Sequence, residues 1–121
     1  MTVTEREEAL DHLTSTVTSN KKTSWNIETK ILDWTKVEDF DPVQDYDILI
    51  GADIIYIEDT FEYLLKTLLT FTKSNTPVLL SMRIRYERDE KFLDMMRNHF
   101  ELSRIFHDRE RGILIYKAVR N

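Results

Sequence analysis

The spacing of apolar and polar residues divides this chain into nine predicted elements. Ala9, Leu10, Leu13 and Val17 recur at helical spacing and predict a helix over about residues 5–19. Thr4 and Glu7 fit a capping box at its start, behind a short β-prone piece at 1–4. The polar run 19–24 predicts a loop. Residues 27–34 read as a strand of mixed polarity, and 35–45, acidic and containing Pro42, as a connecting loop. Ile48, Leu49 and Ile50 form an uninterrupted apolar run, which predicts a strand buried on both faces, as in a parallel sheet. Asp59 and Glu62 fit a second capping box. Behind it, Phe61, Leu64, Leu65, Leu68 and Leu69 fill a complete helical stripe. Residues 76–82 predict another buried strand, with Pro77 at its tolerated first position. The charged run Arg83–Asp89 leads into a helix with Phe92, Leu93 and Met96 on one face. Residues 100–106 and 113–119 predict two strands joined by a polar, Gly112-ended loop, hence an antiparallel hairpin.

Strand, helix, strand, strand, helix, strand, helix, strand, strand is the order of an α/β sheet finished by an antiparallel pair. A chain of 121 residues fits one domain, with no repeat or linker to divide it. Composition then narrows its work. A formal net charge of -5 makes nucleic acid a poor partner, because phosphate contacts need basic surface. There is no cysteine, so thiol chemistry, disulfides and thiolate zinc sites are out. His12, His99 and His107 have no metal-ligand spacing, so no metal is expected. No apolar run approaches a membrane span, and nothing at the amino end resembles a signal peptide. The only glycines are Gly51 and Gly112, too few for a glycine-rich nucleotide loop. Gly51-Ala52 ends the Ile48 strand with small residues, and Asp53 and Tyr56 follow. In open α/β sheets ligands bind beyond the carboxyl ends of the strands. Spacing alone leaves Asp53 open as a helix cap and Tyr56 as a half-buried packing residue.

The segments Asp47-Ile48-Leu49-Ile50-Gly51-Ala52-Asp53-Ile54-Ile55-Tyr56 and Arg83-Ile84-Arg85-Tyr86-Glu87-Arg88-Asp89 together resemble the methyltransferase-like family of protein-lysine methyltransferases. The resemblance runs from Thr2 to Asn121. It implies the C-terminal portion of a Rossmann-like, seven-stranded methyltransferase fold, a partial domain over 1–121. The fold's first strand and its Gly-x-Gly-type loop have no counterpart, so the strands at Val3 and Ile48 are expected to show open edges. The implied activity is methyl transfer from S-adenosyl-L-methionine to a lysine amine. The implied partner is a protein substrate, a DnaK-type heat-shock chaperone, and the expected location is the cytoplasm.

The resemblance also implies roles. Glu5 would accept the cofactor's ribose hydroxyls, although the family usually has Asp there; its other reading is a first-turn helix glutamate. Trp34 would pack beside the adenine, or else serve as a core tryptophan. Ala52 would touch the cofactor through its backbone, or simply pack closely. Asp53 and Tyr56 would meet the incoming lysine. Neutralising that lysine at pH 7 costs about 4–5 kcal/mol, and a carboxylate beside an aromatic wall can orient the amine. Arg83, Arg85 and Arg88 read as a solvated salt-bridge network or as contacts to an acidic substrate or cofactor edge. Glu38, Asp39, Asp41 and Asp45 read as a solvated loop or a face for a basic substrate. The rival reading of the whole chain is an inactive methyltransferase-like protein that binds a protein partner.

Overall fold

The computed structural model describes residues 1–22, 24–40 and 45–121. Thr23, Asp41 and Pro42, which the sequence assigns to loops, lie outside these. The chain forms two compact units, Met1–Pro42 and Val43–Asn121.

In the first unit, strands β1 (Thr2–Glu5) and β2 (Glu28–Ile31) pair in parallel, with Glu5 opposite Ile31. Helix α1 (Leu10–Asn20) joins them. Thr4 does not cap that helix. Its backbone belongs to the β1 ladder opposite Lys30, and a 3-10 turn, Glu7–Ala9, intervenes before α1 without a side-chain cap. The second strand is also shorter than its sequence suggests. It ends at Ile31, and Trp34 opens a 3-10 segment, Trp34–Asp39, where a loop was expected. The cause is Asp33, whose carboxylate accepts hydrogen bonds from the Thr35 amide (2.9 Å) and hydroxyl (2.7 Å) and so starts the turn.

The second unit holds a four-stranded sheet ordered β3-β4-β6-β5: β3 (Leu49–Ala52), β4 (Val78–Met82), β5 (Phe100–Asp108) and β6 (Ile113–Arg120). β3 runs parallel to β4, whereas β6 runs antiparallel to both β4 and β5. The hairpin expected at the carboxyl end is present, and Gly112 takes the left-handed conformation (φ +65) that its turn requires. Helices α2 (Phe61–Phe71) and α3 (Glu87–Arg97) complete the unit.

The apolar stripe of α2 is buried through Phe61, Leu64 and Leu68. The Phe61 and Phe92 rings lie 5.2 Å apart, and Phe92, Leu93 and Met96 of α3 are fully buried. Val78, Leu80 and Met82 of β4 line the same core. Arg120 of β6 donates to the carbonyls of Leu69 (3.1 Å) and Thr72 (3.3 Å), closing the carboxyl end of α2. The second capping box does not form. Asp59 lies within a 3-10 turn, Glu58–Thr60, and the Thr60 hydroxyl donates to the Ile57 carbonyl instead.

One expectation fails more instructively. The Ile48 strand is not buried on both faces, since Ile50 is 74% exposed and Ile48 42%. β3 is an edge strand, paired only with β4 among the described residues, just as β1 pairs only with β2. Both therefore present open edges.

Candidate functional site

The two groups of candidate residues fall in different units. Glu5 closes β1, where its backbone carbonyl accepts from the Leu32 amide at 3.0 Å. Trp34, half-buried, comes just after the carboxyl end of the neighbouring parallel strand β2. Parallel strands expose their carboxyl ends on the same side, so both residues stand where open α/β sheets take ligands. Beside Trp34, Asp33 has its carboxyl held below the usual aspartate value, first by the Thr35 hydroxyl and then by the Thr35 amide.

Ala52 ends β3, and Asp53 takes the left-handed backbone conformation (φ 54). A non-glycine residue there stores strain, and such strain concentrates at functional positions. Two features hold the turn. The Asp53 amide donates to the Ser81 carbonyl at 3.1 Å. Ile54 folds back over Gly51 so closely that a Cβ there would sit 2.6 Å from its Cδ1 and 3.0 Å from a Leu80 methyl. A side chain at position 51 would push the Ile54 Cδ1 methyl aside.

Asp53 opens into a cleft of about 260 Å³, lined also by Ser81, Met82, Arg83, Arg85 and Ile113. The register explains this company. Ala52 pairs with Ser81 in parallel, so the residues after both strands emerge at one end of the sheet. Antiparallel β6 sets Leu114 opposite Met82, which brings Ile113 to the same end. Tyr56 is 49% exposed and lies outside this lining.

Sequence reasoning did not find Ser81, Met82 and Ile113, because their proximity to Asp53 follows from cross-strand register. It also treated the three arginines alike, and the structure separates them. Arg88 stacks 4.6 Å over the Tyr86 ring and lies 4.0 Å from Asp89. Asp89 is buried and accepts from the amides of Arg85 (2.9 Å) and Tyr86 (3.1 Å) at the start of α3. Arg83 and Arg85 make no ion pair among the described residues and stand exposed in the cleft.

A parallel strand pair that ends in a cleft and an antiparallel hairpin that finishes the sheet fit a Rossmann-like methyltransferase fold, and solved structures of that class superpose on the chain. The solved structure of Aeropyrum pernix fibrillarin, in complex with natively bound S-adenosyl-L-methionine, superposes with a TM-score of 0.70 at 18% identity, over 98% of this chain and 54% of that one. Within that class the sequence is more specific. The pattern of a family described as "Lysine methyltransferase" matches residues 1–99. Protein N-lysine methyltransferase METTL21A of Danio rerio is 42% identical over 123 residues, 100% of this chain and 56% of the relative. EEF1A lysine methyltransferase 3 of Xenopus tropicalis is 30% identical, over 99% of this chain and 54% of the relative. The chain belongs to the lysine methyltransferase family. It spans about half the length of the curated relatives it matches.

Proposed function

We propose that this chain works as part of an S-adenosyl-L-methionine-dependent protein-lysine N-methyltransferase domain. The observation that carries the reading is Asp53, held in a strained turn at the carboxyl end of β3 and opening into a cleft, in a member of a lysine methyltransferase family.

Each residue that the resemblance assigns to the cofactor has suitable chemistry. Glu5 offers a carboxylate to the two hydroxyl donors of a ribose, Trp34 offers an apolar ring face to an adenine, and Ala52 offers backbone at the end of β3. The cofactor supplies an electrophilic methyl group on a sulfonium. The chain's own residues bind, orient and desolvate. Asp53 would accept a hydrogen bond from the lysine amine and so orient that amine for attack. Tyr56 supplies an aromatic wall at the approach. The amine must arrive neutral, so its proton leaves to solvent before attack. A carboxylate that attracts the ammonium and then orients the amine serves both stages.

The proposed substrate is a DnaK-type heat-shock chaperone in the cytoplasm, following the resemblance carried by Asp47–Tyr56 and Arg83–Asp89. The Xenopus relative is named for EEF1A, so the test includes both proteins. Radiolabelled methyl transfer is measured with the 121-residue chain, and with a chimera in which it replaces the matched part of the Danio rerio relative. Labelling of the chaperone that disappears in Asp53→Asn is the expected result. Labelling of neither substrate by either protein overturns the reading.

A further inference from the structure

The cleft that holds Asp53 carries more positive than negative charge. One carboxylate and two guanidinium groups line it, beside the uncharged Ser81, Met82 and Ile113. This is a cationic island on a chain whose formal net charge is -5. Four other cations of the second unit are engaged, Lys73 with Asp45, Lys91 with Glu58, Arg97 with Asp94 and Arg120 with the end of α2, whereas Arg83 and Arg85 line the cleft together. Arg83 and Arg85 instead project from a stretch in which Ile84, between them, is half-buried and both arginines are exposed. Alternation of that kind sends positions i and i+2 to the same side of an extended backbone.

We propose that Arg83 and Arg85 select a lysine whose neighbours in the substrate are carboxylates. The proposal rests on the reading of Asp53 as the residue that meets the amine. A lone ammonium entering this cleft is attracted by one charge and repelled by two. A segment that brings carboxylates with its lysine reverses that balance, because each guanidinium offers a fork of donors matched to a carboxylate. Extended chain advances about 3.3 Å per residue, so an acidic residue one or two positions from the lysine reaches the arginines while the amine reaches Asp53. Charge complementarity of this kind fixes register and rejects wrong partners.

The shared chemistry is a carboxylate, and the cofactor's own carboxylate is the other possible source, so the test separates the two. Fluorescein-labelled pentapeptides Ala-Glu-Lys-Glu-Ala and Ala-Gln-Lys-Gln-Ala are titrated with the 121-residue chain by fluorescence anisotropy, at two salt concentrations. S-adenosyl-L-methionine is titrated in parallel. Arg83→Gln, Arg85→Gln and the double variant are compared with the Arg→Lys pair, which keeps the charge. The acidic peptide is expected to bind about three- to tenfold more tightly, as two exposed ion pairs allow. That preference should shrink with salt, vanish in the double Gln variant and persist in part in the Lys pair. Cofactor affinity should not change. Equal binding of the two peptides, or a preference that survives the double Gln variant, overturns the proposal. So does a double Gln variant that loses cofactor affinity while the unaltered chain shows no peptide preference, which would assign the arginines to the cofactor carboxylate. Peptide preference without methyl transfer supports the arginine assignment and sinks the enzyme reading alone, so the two failures are told apart.

Discussion

The first unit has three regular elements and almost no interior. Helix α1 buries no residue, and Val37 and Phe40 are the buried apolar side chains among its described residues. The second unit buries Phe61, Leu64, Leu68, Val78, Leu80, Phe92, Leu93, Met96 and Phe100, several of them completely. Periodicity explains the difference. The stripe of α2 has apolar residues at every core position of the helical template, whereas α1 interleaves Leu10, Leu13 and Val17 with Thr, Ser and His. A helix of that second kind can lie along a sheet but cannot fill a core. The unit with the dense interior also carries the strained Asp53 turn, as expected if surrounding packing is what holds strain in place.

The tryptophans and tyrosines make this contrast measurable. Trp25 and Trp34 both lie in the first unit, and all five tyrosines lie in the second. Leu64→Ala should lower the stability of the second unit by roughly 2–5 kcal/mol, read by near-ultraviolet tyrosine dichroism during denaturant unfolding. Leu13→Ala should move the tryptophan transition by less than about 1 kcal/mol. Equal shifts would break the contrast.

The next effect sharpens it chemically. In the chimera, Asp53→Asn should slow methyl transfer about a hundredfold, the loss of a transition-state contact of about 3 kcal/mol, with cofactor affinity nearly intact. Glu5→Gln should do the reverse, weakening cofactor binding about tenfold. Tyr56→Phe should be milder than Asp53→Asn, because the ring still walls the approach. If Asp53→Asn loses cofactor affinity and transfer together, the division of labour between the units is wrong.

Arg120→Ala should cost the second unit about 1–2 kcal/mol, since the last carbonyls of α2 lose a charged donor. It should leave the tryptophan transition unmoved.

The smallest effect belongs to the first unit. The Asp33 carboxyl is lowered in the folded chain, so its contribution is present above the ordinary aspartate value and fades as pH falls through the lowered one. Thr35→Val removes the first cause. The carboxyl signal of Asp33, followed by NMR, should then titrate nearer the ordinary value. An unchanged midpoint would discount the hydroxyl.

Much of this fold was legible where one element's pattern was self-sufficient. The α2 stripe, the Phe92-Leu93-Met96 face and the hairpin all matched the structure. What failed was what depends on a partner strand. Ile48, Leu49 and Ile50 look like a central strand, yet their exposure is decided by position in the sheet. Thr4 looks like a helix cap, yet parallel pairing with Lys30 claims its backbone. The candidate site divides in the same way. Asp53 was visible as a carboxylate after a small-residue strand end. Its left-handed backbone and its nearness to Arg83 and Ile113 were not, because both arise from the alignment of β3, β4 and β6.

The strand order has a consequence for synthesis. β6 comes after β3, β4 and β5 in the chain, yet it lies inside the sheet, between β4 and β5. A nascent chain can align β3 with β4, but the other edge of β4 stays bare until Ile113–Arg120 has emerged. At about 5–20 residues per second, the interval between Met82 and Arg120 lasts seconds. For that time Val78, Leu80 and Met82, which end among the most deeply buried side chains, lie along an unpaired strand edge. For that interval the apolar face that β6 later helps to cover has no partner on that side.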